Sequence, residues 1–231
     1  MGSNDKETAA LHLQIGTEEL QNGAYPQALT TLLKAESLDP DSAPIQNNLG
    51  LAYYVREKYQ EAESHIKKAI EIDPKYSDAH NNLGRVYLET GRYEDAIREL
   101  KLVENDLTYV NPEKAYLNLA IVYFRKKSFP ESIEYLNKTL NIQRDNCVAR
   151  NYLGRNYYEQ KQYGRASEEL DRAVSFCKRA LFDEPSYYSA LSYYSLGRQD
   201  KAEARLEEMI KLFPNGQYYE KAKSMLDIMK R

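Results

Sequence analysis

The string QNNLGLAYYVREKYQEAE, residues 46–63, returns 34 residues later as HNNLGRVYLETGRYEDAI, residues 80–97. Anchored on the glycine of that phrase, Gly16, Gly50, Gly84, Ala120, Gly154 and Ala190 form a ladder with steps of 34, 34, 36, 34 and 36 residues. A period in this range means stacked supersecondary units, none of which can bury its apolar face alone. Other positions keep the same beat. Three residues after the small residue stands Tyr53, Tyr87, Tyr123, Tyr157 or Tyr193. Twelve after it come Ala28, Ala62, Ala96, Ser132, Ala166 and Ala202; nineteen after it come Ala35, Ala69, Val103, Thr139, Ala173 and Met209. The units close on Asp39-Pro40, Asp73-Pro74, a longer loop around Asn111-Pro112 and, at the end, Pro214.

Within a unit the apolar residues fall at helical spacing, as in Leu49, Ala52, Tyr53 and in Ile66, Ala69, Ile70. Gly23, Gly91 and Gly197, with lysine-rich equivalents elsewhere, mark a break between two helices. Pro26 and Pro130 suit the start of the second helix, where no amide donor is lost. Small residues let the two helices approach, and the tyrosines fill the space beside them, which accounts for most of the 21 Tyr. The small–aromatic–alanine–proline pattern resembles the tetratricopeptide repeat. The fold expected is all-α, a tetratricopeptide repeat superhelix of six helix pairs plus a C-terminal capping helix. The units are placed at about 9–42, 43–76, 77–112, 113–146, 147–182 and 183–216, with the cap at 217–231. Its face Tyr218, Ala222, Met225, Leu226, Met229 is expected to pack inward, and Lys221, Lys223, Lys230 and Arg231 to stay in water. Residues 1–8 read as a cloning scar, Met-Gly-Ser, and a flexible segment.

Chemistry is conspicuous by what it would need. A net charge of −3 gives no polybasic field for nucleic acid. No apolar run approaches the ~20 residues that cross a bilayer. His12, His65 and His80 lie in different units, and neither Cys pairs with a His at ligand spacing. No Ser, Cys or Thr has an adjacent base in a catalytic motif. Neither an enzyme, nor a metal site, nor a cofactor is expected.

What stacked helix pairs offer is a groove lined by the first helix of each unit. Register puts Gln14, Asn48, Asn82, Asn118, Tyr152 and Tyr188 in one row, with Leu13, Asn47, Asn81, Leu117, Asn151 and Tyr187 before it. Thr17, Leu51, Arg85, Ile121, Arg155 and Leu191 make a third row; Leu20, Tyr54, Leu88, Phe124, Tyr158 and Tyr194 a fourth. A side-chain amide both donates and accepts. The ladder Asn48–Asn82–Asn118 therefore suits the backbone of an extended peptide, flanked by apolar contact from Leu13, Leu51 and Tyr54. The alternative is that these amides bond neighbouring helices and fix their register. The lysine and asparagine with which some repeat grooves clamp a chaperone's terminal carboxylate are replaced here by Leu13 and Thr17.

Six units, a lengthened third-to-fourth junction in ENDLTYVNPEKAYLNLAIVYF (104–124), a second two-residue insertion after Cys177, a degenerate sixth unit and the ending Leu212-Phe213-Pro214 followed by Tyr219 are together similar to the type IV pilus pilotins. That resemblance implies a non-enzymatic lipoprotein on the periplasmic face of the outer membrane. Its partner would be a segment of the pilus secretin, which it helps to localise and multimerise. The lipid-bearing cysteine and leader of that family do not occur in this sequence, so membrane contact is expected only through an anchor outside it. The other reading is a cytoplasmic scaffold linking regulatory or motility proteins. Cys147 opens the first helix of the fifth unit and Cys177 ends its second. Antiparallel packing sets these ends side by side, at a separation a disulfide accepts. Two small buried thiols are the alternative. The pilotin resemblance itself implies a paired arrangement.

Overall fold

The computed structural model describes residues 3–177 and 182–230. Among these residues thirteen helices follow one another: α1 (Ser3–Gln21), α2 (Tyr25–Leu38), α3 (Ala43–Tyr54), α4 (Tyr59–Ile72), α5 (Ser77–Glu89), α6 (Tyr93–Glu104), α7 (Pro112–Arg125), α8 (Phe129–Ile142), α9 (Cys147–Glu159), α10 (Tyr163–Cys177), α11 (Glu184–Ser195), α12 (Gln199–Leu212) and α13 (Tyr219–Met229). They make six helix pairs and a cap. The chain divides into two compact units, Met1–Asn118 and Leu119–Arg231, with the division inside α7. Residues 3–8, expected to be flexible, are the first turns of α1, which hold no helix-breaking residue to stop them. The cap helix begins two residues later than expected, at Tyr219. The insertion after Cys177 and the placement of Arg231 lie outside the described residues.

The repeat positions explain the pairing. A leucine or isoleucine sixteen residues after each ladder residue (Leu32, Ile66, Leu100, Leu136, Leu170, Leu206) is fully buried. These side chains lie across the ladder: a Cβ added to Gly84 would stand 2.6 Å from Leu100 Cγ. The alanine row is buried throughout, and Ser132, which replaces one alanine, donates to the Ala120 carbonyl at 2.8 Å and so is satisfied in the core. The tyrosine row behaves differently. Tyr87 and Tyr157 are buried, under Arg92 and Arg165 at 4.1 and 3.9 Å. Tyr53 and Tyr123 are half-buried lids, stacked on His65 and Tyr135. At the far end, Tyr218, Ala222 and Met229 close a cluster with Ala202, Leu206 and Met209, with Met225 and Leu226 against it. No described helix is long and apolar enough to cross a membrane.

Each pair turns through the same left-handed residue. Gly23, Gly91 and Gly197 have φ near +70°, and Glu57, Lys127 and Lys161 hold φ of 58°, 61° and 59° at the same register position. The next residue's amide then reaches back five residues, as from Lys58 to Tyr53 and from Ser128 to Tyr123. This is the helix-ending motif that favours glycine. A side chain in this conformation costs about 1 kcal/mol. Lys127→Gly is therefore expected to stabilise by about 1 kcal/mol, read as a higher urea midpoint at unchanged slope. A lower midpoint would count against the assignment of this turn.

Candidate functional site

In the 1–118 unit the asparagine ladder is a real feature, but its amides are directed at the neighbouring helix. Asn48 Nδ2 donates to Thr17 Oγ1 at 2.7 Å, Asn82 Nδ2 to Asn47 Oδ1 at 2.9 Å, and Asn118 Nδ2 to Asn81 Oδ1 at 2.9 Å. Asn47 and Asn81, expected to face a ligand, are each only 4% exposed, which corrects their assignment to the binding surface. The reason is steric: these positions point between successive inner helices, and an amide buried there needs a partner. Asn48, Asn82 and Asn118 are half-buried beside them. Asn82→Ala leaves Asn47 Oδ1 buried without its donor, so the expected result is a loss of about 1–3 kcal/mol of stability. Unchanged melting would show that the ladder does not hold the helices in register.

A contact face remains on the same rows. Leu13, Leu51 and Tyr54 are half-buried. The Arg85 guanidinium lies 4.5 Å over the Tyr54 ring and reaches Asn82 Oδ1 at 3.5 Å. Burial pushes the Tyr54 phenol up, with Arg85 opposing. This surface joins a cation, a phenol and apolar side chains, so it can grip a peptide through hydrogen bonds and apolar area together.

In the 119–231 unit the corresponding row is closed by a buried charge. Glu184, 8% exposed, accepts from Asn151 Nδ2 at 2.5 Å, from Arg155 Nη1 at 3.0 Å and from Tyr218 Oη at 2.5 Å. Arg155 also lies 4.7 Å from the rings of both Phe124 and Tyr188. A buried carboxylate is tolerable only when paired in this way. Burial, with the hydrogen bond to Glu184 added, holds the Tyr218 phenol well above the ordinary tyrosine range. Cys147 and Cys177 are joined by a disulfide, Cα–Cα 5.2 Å, which ties the start of α9 to the end of α10.

Two features escaped the sequence reading. The first is the position four residues before the ladder glycine. Gln46 Nε2 donates to the Pro40 carbonyl at 3.0 Å and to Glu36 at 2.9 Å. His80 reaches the Pro74 carbonyl and Glu99; Arg150 reaches the Arg144 carbonyl and Glu169. Three unlike side chains each fasten the inter-repeat turn to a carboxylate on a second helix: that of the same pair for His80 and Arg150, that of the preceding pair for Gln46. Their common property is the ability to donate twice, which hydrophobic periodicity does not register. The second is the brace of the lengthened loop. Asp106 accepts from Ser77 Oγ at 2.5 Å and from Thr108 N at 2.9 Å, and these bonds hold its carboxyl below the usual range. Tyr109 donates to Asp78 at 2.8 Å. The braced loop leaves Leu107 97% and Val110 83% exposed.

Comparison with known proteins agrees with this architecture. The tetratricopeptide repeat matches at residues 56–107, 112–179 and 186–216, and the TPR repeat at 16–55. The chain belongs to the tetratricopeptide repeat family. No curated protein matches it by sequence. Among solved structures it is similar to pilF of Pseudomonas aeruginosa (TM-score 0.79, 22% identity, 96% of this chain and 100% of that one). It is also similar to PilW, a widely conserved type IV pilus biogenesis factor (0.84, 20% identity, 92% and 97%). A third likeness, to the APC/C hetero-tetramer Cut9–Hcn1, has a TM-score of 0.85 at 18% identity, and covers 97% of this chain but 43% of that one. The repeat is a protein-interaction fold, and the chain is a protein- or peptide-binding module of that kind.

Proposed function

We propose that this protein is a pilotin, which binds a segment of the type IV pilus secretin and assists its localisation and multimerisation at the outer membrane. The observation that carries this reading is end-to-end correspondence. The chain spans 96% of its own length and 100% of pilF, and 92% and 97% in the case of PilW. The likeness to Cut9–Hcn1, which is as high by TM-score, covers less than half of that chain. It favours the second reading, a scaffold within a larger assembly, without the match in length. The Cys147–Cys177 disulfide supports an oxidising compartment such as the periplasm, where such bridges persist. We place the protein there as a lipoprotein, with the Leu51, Tyr54 and Arg85 face as the contact. The test is calorimetric titration of the purified chain with the secretin of the same cell, for wild type and for Arg85→Ala. Binding that weakens about tenfold or more in the variant, with unchanged melting, supports the reading. Absence of any wild-type binding sinks it and favours the scaffold.

A further inference from the structure

The clamp position is filled by permanent donors in two of the three pairs described above, Gln46 and Arg150. In the third it is filled by a histidine. His80 is 7% exposed, and both ring nitrogens have partners: Nδ1 lies 2.8 Å from Glu99 Oε2, and Nε2 lies 3.1 Å from the Pro74 carbonyl oxygen. A proline carbonyl cannot donate, and a carboxylate accepts only. Both contacts are hydrogen bonds only while His80 and Glu99 together hold two protons, as imidazolium and carboxylate or as the coupled equivalent. One proton fewer leaves one contact without its hydrogen.

We propose that the His80–Glu99 pair is a proton-gated clamp, which fastens the turn before α5 to α6 and makes the third helix pair the element of the 1–118 unit that loosens as pH rises. The groups facing His80 favour the closed state. Glu99 on α6 is its direct partner, with Arg98 3.9 Å from that carboxylate, and Asp73 in the turn adds a second negative charge. Lys75 from the turn and Asp106 from the α6–α7 loop line the same cleft of about 360 Å³, together with Pro74, Ser77, Leu102 and Thr108. The clamp therefore fastens one wall of a cleft whose other wall is the braced loop. The Glu99 hydrogen bond raises the imidazole's proton affinity, against burial, and the Pro74 carbonyl adds to it.

The direction of the effect follows. The histidine is ordinarily half-protonated near pH ~6.5 when unfolded, and above that when folded. The clamp's contribution is complete below about pH 6.5 and is lost as pH rises through the folded midpoint. Every pH unit between the two midpoints corresponds to about a tenfold change in the folding equilibrium. His65 acts in the opposite window. Burial lowers its midpoint, so its effect appears as pH falls below about 6.5. The two histidines are therefore separable.

The experiment is nitrogen-edited NMR of the imidazoles in the intact protein, with urea unfolding of wild type and His80→Gln from pH 5 to 9. Gln46 donates twice from one amide, to the Pro40 carbonyl that corresponds to Pro74 and to the Glu36 carboxylate on α2. A glutamine at position 80 likewise carries two permanent N–H donors, so the variant is expected to donate to the Pro74 carbonyl and Glu99 at every pH. The expected result is a His80 ring protonated on both nitrogens at pH 6.5, with a midpoint above that value which falls in Glu99→Gln. The wild-type advantage over His80→Gln should shrink at least several-fold across the His80 midpoint. A neutral His80 ring at pH 6.5 overturns the proposal even if a variant fails to fold. A pH-independent difference between wild type and His80→Gln overturns it as well.

Discussion

Cys147→Ala with Cys177→Ala lowers the stability of the 119–231 unit by about 3–4 kcal/mol. The bridge spans a sequence separation of 30 residues. Closing a loop of that size removes freedom chiefly from the unfolded chain, and the chain-entropy relation gives this magnitude. For a unit of this size the melting temperature falls on the order of 10 °C. Cys177 is buried at 1% exposure and packs where α10 ends, so alanine keeps most of its packing and the loss reports the cross-link. The check is calorimetry of wild type with and without reductant, alongside the double variant. Equal melting in all three would mean that the bridge restrains nothing. Thiol counting on protein from its native host bears on compartment: no free thiols fits the periplasm, and two free thiols would remove that support.

Gly84→Leu is expected to cost about 3 kcal/mol, the upper end of the usual overpacking range. The ladder position lets one helix of a pair lie against the other, and Leu100 occupies the space that a side chain would take. Its Cγ, Cδ2 and Cδ1 would lie 2.6, 2.8 and 3.3 Å from an added Cβ. Leu100 is fully buried and cannot swing into water. Alanine at the same register in Ala120 and Ala190 shows that one methyl is accommodated; a branched side chain is not, and overpacking of a filled core is destabilising. Leu100→Ala added to Gly84→Leu should restore part of the loss, and the coupling in that double-mutant cycle is the measurement. Strict additivity would place the strain elsewhere.

The fold was legible because its determinants repeat. Six small residues, six buried aliphatics and six left-handed turns fall at fixed intervals, and errors at one position are corrected by the other five. The turns were readable even where Glu57, Lys127 and Lys161 replace glycine, because spacing marked them when composition did not. The candidate site was less legible, for a physical reason. A side-chain amide at a repeat position is equally able to meet a peptide or the next helix, and only the direction of the Cβ decides. For Asn47 and Asn81 that direction is inward. The clamp of Gln46, His80 and Arg150 was hidden because it repeats a hydrogen-bonding capacity and not a residue type. Glu184, a buried charge held by Arg155, Asn151 and Tyr218, depends on a partner from the cap 34 residues later. No local pattern announces such a contact.

A role of this repeat array in secretin assembly is read from unheated membranes of a strain lacking the protein. After electrophoresis and detection of the type IV pilus secretin, we expect monomer in place of heat-resistant multimer, with multimer restored by the wild-type gene. Multimers at their normal level in the deletion strain, with normal piliation, would mean that the protein is not the secretin's pilotin.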